Sequence, residues 1–150
     1  MTDLVLQSNG IAPMSQQSVE KVAALEQVAL QQPQIPIETI HSLHGGVYTR
    51  TICIPAGILL TGAFIKIPTT LVAQGDCFVY VGDKTLRLTG YNIIPASAGR
   101  KQAFVAVSDT WLTMIFATAA KTIEQAEREF TDEADMLFSR KFSNTILSEV

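Results

Sequence analysis

The stretch from Gly46 to Gly75 most constrains how this chain can fold. It reads GVYTRTICIPAGILLTGAFIKIPTTLVAQG. Residues 47–54 are rich in β-branched and aromatic side chains, Pro55-Ala56-Gly57 supplies a turn, and residues 58–67 form a second apolar run. Because an isolated hairpin is only marginally stable in water, this pair of strands predicts the start of a larger β-structure.

The same alternation of apolar runs and turn residues continues to Ala117. Turns are predicted at Gly75-Asp76 and at Gly82-Asp83-Lys84. Further strands are predicted at residues 77–81, 85–88, 91–94, 102–107 and 110–117. About seven or eight short strands at this spacing are typical of a small all-β barrel or sandwich.

Helical patterns flank the strands. An amphipathic helix is predicted to begin at Ser15 or Ser18 and to stop before Pro33, followed by an extended connector over residues 34–46. Thr122-Ile-Glu-Gln125 fits a capping box and predicts a C-terminal helix. A second helix is predicted from Thr131, with a loose tail after it.

These patterns divide the chain into three regions. Residues 1–34 form an N-terminal arm and helix, with residues 1–14 expected to be weakly ordered. Residues 35–119 form the predicted barrel, and residues 120–150 form a C-terminal helical tail.

Composition limits the partners that this chain can have. The 150 residues are 47% hydrophobic and only 17% charged, which excludes disorder and favours self-association, most simply as a homo-oligomer of two or three copies. The formal charge is −3 and the eleven Lys and Arg are scattered, so we expect neither nucleic acid nor a membrane as partner.

The N-terminal sequence and the cysteine content indicate the compartment in which this chain is expected. The start MTDLVLQSNG lacks a basic segment followed by a long apolar one, so we expect no export by a signal peptide. Cys53 and Cys77 are the only cysteines and both fall in predicted strands, so two buried free thiols are a simpler interpretation than a disulfide.

Five short sets of residues carry a further signal: Gly46–Arg50, Ile52–Gly57, Leu60–Gly62, Pro95 with Gly99, and Ser108–Trp111. Together they resemble segments of a family of small cupin-like proteins encoded by tailed bacteriophages. They follow the family's order and span about residues 20–140. The resemblance implies a cupin-like jelly-roll barrel with a preceding α-helix and one or two C-terminal helices.

The resemblance also implies a metal site, from which this sequence departs. Proteins of this kind place histidines and a glutamate after the Leu-Thr-Gly turn, and another histidine before the last strand. Here residues 63–71 are apolar, Lys, Pro or Thr, and residues 104–107 read FVAV. An Ile side chain has no lone pair to donate, so we expect no metal at these positions, no cofactor and no enzyme activity.

Arg50 is the leading candidate for ligand binding. If Ile52 and Ile54 face the core, period-two alternation puts Arg50 and Tyr48 on the same inner face, where an unpaired guanidinium is costly. Together with Lys66 and Arg87, these residues would present donors to a phosphate or a sugar acid. The alternative is that Arg50 reaches solvent and pairs with Glu38 or Asp76.

The remaining polar and aromatic residues have simpler interpretations. His41 and His44 are expected at the surface or at an interface, with a metal site as the alternative. The charged run 124–129 is typical of a solvated helix face. Trp111, Tyr91, Tyr80 and Phe78 are expected in the core or half-buried in the sheet.

Three functional hypotheses follow. The first is a metal-free, non-enzymatic phage accessory protein, such as a capsid cement or decoration subunit, located in the virion or in the cytoplasm of the infected host. The second is a module that sequesters a small anionic metabolite through Arg50, Tyr48, Lys66 and Arg87. The third is a metal-dependent enzyme whose ligands have been relocated. Because function does not follow from fold alone, the site has to decide among them.

Overall fold

The computed structural model describes residues 10–150, so the first nine residues of the predicted arm lie outside the described part. Within it, helix α1 (Gln16–Ala29) precedes the strands, and helix α2 (Ile123–Phe130) follows β7. The strands are β1 (Thr39–His44), β2 (Val47–Ile54), β3 (Leu59–Thr61), β4 (Thr69–Tyr80), β5 (Thr85–Ala96), β6 (Ala103–Ala106), β7 (Thr110–Ala117) and β8 (Asn144–Glu149). Two 3-10 turns, Ala134–Met136 and Phe138–Arg140, lie between α2 and β8.

All eight strands belong to one curled sheet. Its order is β3-β6-β4-β7-β2-β1-β8, and β5 pairs with β4 off this path. Every pairing is antiparallel except that of β1 with β8. The predicted all-β fold with a preceding helix and C-terminal helices is therefore confirmed.

The turn predicted at Gly75-Asp76 is wrong, because β4 runs straight through it. Up to Gln74, β4 pairs with β7, and from Cys77 onward it pairs with β6. Gly75 lies where the strand changes partner, at φ +141°, and a Cβ there would stand 2.7 Å from the carbonyl oxygen of Asp109. The strand continues through this glycine, whose missing side chain leaves room for the backbone of Asp109 and Thr110.

Strand alternation builds the core. Along β4, Leu71, Ala73, Cys77 and Val79 are buried, and the residues between them face outward. A second buried cluster joins the β2 and β7 side of the sheet to α2, with Tyr48, Phe116 and Phe130 at its centre. Cys77 is buried and Cys53 half-buried, and both thiols are free.

Both helix starts are capped as predicted. The Ser15 hydroxyl accepts a hydrogen bond from the Ser18 amide at 3.1 Å, and the Thr122 hydroxyl accepts one from the Gln125 amide at 3.1 Å. Helix α1 ends at Ala29, one turn before Pro33. The second helix predicted from Thr131 is replaced by the two 3-10 turns.

The expectation of a loose C-terminal tail is wrong. Strand β8 pairs in parallel with β1, with His41 opposite Ile146. The connector predicted to be extended contains β1, whose outer side would otherwise be an unpaired edge. Most residues of β8 are exposed, so its sequence shows no alternation of apolar and polar residues that would have predicted this pairing.

Several aromatic and aliphatic residues lie on the outside of the sheet. Tyr91 is 62% exposed and Trp111 46% exposed, so the core or half-buried position expected for Tyr91 is wrong. Both are in register with Gln74 on β4. We call this surface the outer face; it comprises Val72, Gln74, Phe78, Tyr91, Ile93, Val105 and Trp111.

Replacing Gly75 by Ala should destabilise the protein by about 1–3 kcal/mol, because the new Cβ meets backbone atoms of Asp109 and Thr110 at a positive φ. Gly90 is its partner in register and also has a positive φ, but no heavy atom lies within 4 Å of a Cβ there. Urea denaturation of Gly75→Ala and Gly90→Ala compares the two sites. An equal loss of free energy of unfolding in both variants would contradict this account of Gly75.

Candidate functional site

A cavity of about 150 Å³ lies inside the curled sheet. Its wall is mostly apolar because strand alternation turns these side chains inward. The apolar lining includes Ile52, Leu60, Ala63, Ile65, Leu71, Phe104, Leu112 and Met114 from the sheet and its connections. Met136, Leu137 and Phe138, from the segment after α2, line it as well. The C-terminal segment therefore completes a cavity that the strands leave open.

Arg100 is the most deeply buried charged residue on the cavity wall. It is only 2% exposed, and its guanidinium donates to the Ser97 carbonyl oxygen and the Thr69 hydroxyl, both at 2.7 Å. No carboxylate among residues 10–150 lies within ion-pair distance of it. Burial lowers the pKa of Arg100 to about 10, so it remains charged at neutral pH.

Gln102 stands beside Arg100 on the same wall. Its Oε1 accepts from the Arg100 Nε at 3.3 Å, which orients the amide and turns Nε2 away from the guanidinium. Within the described part of the chain, that buried Nε2 finds no hydrogen-bond acceptor. A buried amide donor without a partner costs about 1–3 kcal/mol, so the position is unfavourable unless something binds there.

Lys101 is buried too, but its charge is compensated. Its ammonium lies 3.2 Å from a Glu26 carboxylate oxygen on α1 and 3.0 Å from one of Glu133. Both carboxylates line the cavity. They serve the lysine, and leave Arg100 as the cation on the wall without an anionic partner.

Arg50 is partly buried and has a carboxylate partner that sequence reasoning missed. Its Nη1 donates to Glu127 at 2.9 Å and to the Tyr48 hydroxyl at 3.3 Å, and its Nη2 donates to Ser139 at 3.1 Å. The guanidinium also lies 5.5 Å from the centre of the Phe130 ring. The predicted partners Glu38 and Asp76 are wrong, because Glu127 on α2 pairs with Arg50 instead.

Glu127 corrects the interpretation of residues 124–129 as a solvated face. It is 2% exposed and accepts hydrogen bonds from Arg50, Arg140 at 2.9 Å and Ser139 at 2.5 Å. Burial alone would raise the pKa of Glu127, but these hydrogen bonds and the Arg50 charge outweigh it and hold the pKa below its usual value. The carboxylate therefore connects α2 with β2 and with the 3-10 turn Phe138–Arg140.

The four predicted ligand-binding residues do not converge. Arg50 lines the cavity and Tyr48 lies buried beside it. Lys66 instead pairs with Asp132 at 2.6 Å. Arg87 forms a two-point contact with Asp76, at 2.9 and 2.6 Å, on the outer side of the β4–β5 pair. Neither Lys66 nor Arg87 lines the cavity.

His41 is not a surface residue. It is 1% exposed, its Nε2–H donates to Asn144 Oδ1 at 2.6 Å, and its Nδ1 accepts from the Tyr48 hydroxyl at 2.8 Å. The tautomer follows from Asn144, whose nitrogen donates to backbone carbonyls and so leaves its oxygen for His41. His44, three residues on, is exposed.

Burial lowers the pKa of His41, and the nearby Arg50 charge adds to this effect. The Asn144 hydrogen bond and the charges of Glu127 and Glu149 oppose it without reversing it. Burial also raises the pKa of Tyr48 to about 12, so its hydroxyl keeps the proton that it donates to His41. The pair therefore links β1, β2 and β8 in an uncharged hydrogen-bonded chain.

The described residues contain no group of three or more His, Cys, Asp or Glu side chains placed to hold a metal ion. Over the same residues, no helix is both long enough and apolar enough to cross a membrane.

Sequence reasoning missed Arg100, Gln102 and Glu127. Arg100 follows the break at residues 95–99, and Gln102 is the first residue of the strand predicted at residues 102–107, whereas in the structure β6 begins only at Ala103. The only available signal was an Arg-Lys-Gln run adjoining apolar residues, which is equally typical of a solvated turn.

Comparison with solved structures finds cupin proteins. A cupin superfamily protein from Desulfitobacterium hafniense DCB-2 is 11% identical over 58% of this chain and 82% of its own, with a TM-score of 0.45. KdgF from Halomonas sp. is 16% identical over 60% and 87%, with a TM-score of 0.47. A cupin-2 domain containing protein from Shewanella frigidimarina NCIMB 400 is 8% identical over 66% and 98%, with a TM-score of 0.43.

At these identities the likeness concerns the fold alone. The elements and the sheet order of this chain themselves define its fold class as mostly β, a curled mixed sheet with an N-terminal helix and C-terminal helices. No protein-family model matches this sequence, and no curated protein sequence matches it.

Protonation of His41 should make stability depend on pH. The pKa of His41 is lowered on folding, so the unfolded chain binds this proton first, and stability should fall as the pH drops below about 6.5, by at most about 1.4 kcal/mol per pH unit. Urea denaturation between pH 7.5 and 5 measures this slope. His41→Gln should flatten it, whereas the same change at the exposed His44 should not. An unchanged slope in His41→Gln would assign the pH dependence to other groups.

Proposed function

We propose that this chain is a non-enzymatic binding protein that holds a small molecule inside its barrel. The observation that carries the proposal is the cavity of about 150 Å³, apolar over most of its wall and bordered by two guanidinium groups. Cavities of this kind, mostly apolar with a few placed polar groups, are the usual form of small-molecule sites.

The volume of the cavity and the ion pairing of the carboxylates around it support binding of a small molecule over catalysis. An apolar cavity of about 150 Å³ is large enough for a molecule such as benzene. The two carboxylates on its wall, those of Glu26 and Glu133, and the buried carboxylate of Glu127 beside Arg50 are all engaged in ion pairs. A general base must be within reach of substrate and not committed elsewhere, so these groups are better explained as structural partners.

Filling the cavity should remove the bound molecule. Ala63 lines the cavity, so Ala63→Leu should occupy the space with three extra carbons. Ala119 is exposed after β7, and Ala119→Leu makes the same change away from the cavity. We expect wild-type protein and Ala119→Leu to retain a small molecule through purification, detected by native mass spectrometry, and Ala63→Leu to lose it.

Mass spectrometry of the denatured extract identifies the released molecule. A wild-type spectrum without added mass, or an added mass that persists in Ala63→Leu, would count against the barrel as the binding site. Circular dichroism of the two variants checks that both remain folded, so that loss of the molecule is not confused with loss of the fold.

A second candidate function is association, and the outer face favours it. Tyr91, Ile93 and Trp111 are each at least 46% exposed; Tyr91 on β5 and Trp111 on β7 are in register on either side of Gln74 on β4, and Ile93 lies two residues from Tyr91. Contiguous exposed apolar residues are typical of interaction sites. We propose that a second copy of this chain, in a dimer or trimer, covers the outer face. The virion-associated role, and location in the virion or infected host, stay predictions of the sequence resemblance.

Association through the outer face predicts that Ile93→Glu lowers the oligomeric mass. A buried unpaired carboxylate would oppose the contact, so the variant should sediment as a monomer in analytical ultracentrifugation. Leu147 on β8 is 71% exposed and lies away from the outer face in the sheet order, and Leu147→Glu should leave the mass unchanged. A wild-type monomer at all concentrations would overturn the proposal.

A further inference from the structure

We infer that Arg100 and Gln102 form a recognition site for the carboxylate of a small organic acid whose apolar body fills the cavity. The inference rests on the proposed function, since it names the chemical class of the molecule that the barrel holds. It also moves the binding residues from Arg50, Lys66 and Arg87 to a pair that the sequence did not single out.

Hydrogen-bond counting supports the assignment. A guanidinium has five N–H donors, and Arg100 uses three of them: one from Nε to Gln102, one from Nη1 to Ser97 and one from Nη2 to Thr69. One hydrogen on each terminal nitrogen is left over. Gln102 adds the donors of its buried Nε2, which has no acceptor in residues 10–150. Both side chains line the cavity. A carboxylate has two acceptor oxygens and suits such a set of donors.

Arg100 is also the cation at the cavity that has no carboxylate partner among the described residues. Among the described residues, the other two buried or partly buried cations at the cavity each have a carboxylate partner: Arg50 pairs with Glu127, and Lys101 pairs with Glu26 and Glu133. Arg100 alone among these three is held by neutral groups. An uncompensated buried charge costs several kcal/mol, and a bound anion would remove that cost.

The rest of the wall defines the body of the ligand. Leu71, Phe104 and Leu112 present no hydrogen-bonding group, so a sugar or nucleotide would leave its hydroxyls without partners there. Since about 150 Å³ holds a ring of benzene size, the ligand class is a small aromatic or branched aliphatic monocarboxylate. Benzoate is a suitable probe, and benzamide has nearly the same shape without the charge.

Isothermal titration calorimetry at pH 7.5 with benzoate and benzamide tests the inference. We expect benzoate to bind wild-type protein at least tenfold more tightly than benzamide. Gln102→Glu should weaken benzoate at least tenfold, because the new carboxylate pairs with Arg100 and repels the ligand. Because that variant supplies the missing counter-ion, it should fold, and an unchanged or raised Tm verifies this. Gln17 is exposed on α1, away from both the cavity and the outer face, so Gln17→Glu adds the same charge and should leave benzoate binding unchanged.

The possible outcomes separate this inference from the proposed function. Equal affinity for benzoate and benzamide, lost in Ala63→Leu, would overturn carboxylate recognition and leave the binding cavity standing. Benzoate binding that survives in Gln102→Glu would also overturn it. If neither probe binds, the carboxylate site is overturned, and the molecule retained or lost in the Ala63→Leu comparison decides the proposed function separately.

Discussion

The ion pairs of the buried Glu127 carboxylate hold the C-terminal segment against the cavity of the curled sheet. The carboxylate receives Arg50 from β2, and Ser139 and Arg140 from the turn before β8. Breaking a buried ion pair by removing one partner typically costs about 3–5 kcal/mol, because the other charge stays buried. One side chain on α2 thereby fixes the segment carrying Met136, Leu137 and Phe138 against the cavity. The C-terminal region is thus part of the binding site as well as of the fold.

Much of the fold could be predicted because it is local. Alternation of apolar residues, the turn at residues 82–84 and the caps at Ser15 and Thr122 are short-range signals, and the structure confirms them. The sequence predictions were wrong where the structure depends on pairing between strands that are far apart in the chain. Gly75 lies within a strand that changes partner there, which no local signal in the sequence reveals. Strand β8 pairs with the edge of β1, about a hundred residues away in the chain, whose backbone hydrogen-bonding groups would otherwise be unpaired.

The site was less predictable than the fold for a related reason. Alternation correctly placed Arg50 and Tyr48 on the inner side of β2, but their partner came from a helix that the sequence describes as a solvated run. In α2, Ile123, Ala126, Glu127 and Phe130 share the buried face, so Glu127 occupies a core position by helical spacing. A charged residue at such a position becomes meaningful only when its counter-ion is known. Arg100 is the reverse case, because its lack of a counter-ion becomes visible only once every neighbour is in place.

The ion pairs of Glu127 and the pair formed by Arg100 and Gln102 differ in whether their charges and donors have partners within the chain. The buried carboxylate of Glu127 is compensated by Arg50 and Arg140, and these ion pairs hold the C-terminal segment in position. Arg100 and Gln102 keep donors in reserve and gain from a molecule that enters. A wall that was satisfied throughout would be more stable when empty but would have nothing to offer an anion. Retaining an unfavourable buried pair beside a well-compensated one is therefore what a binding site requires and a purely structural core does not.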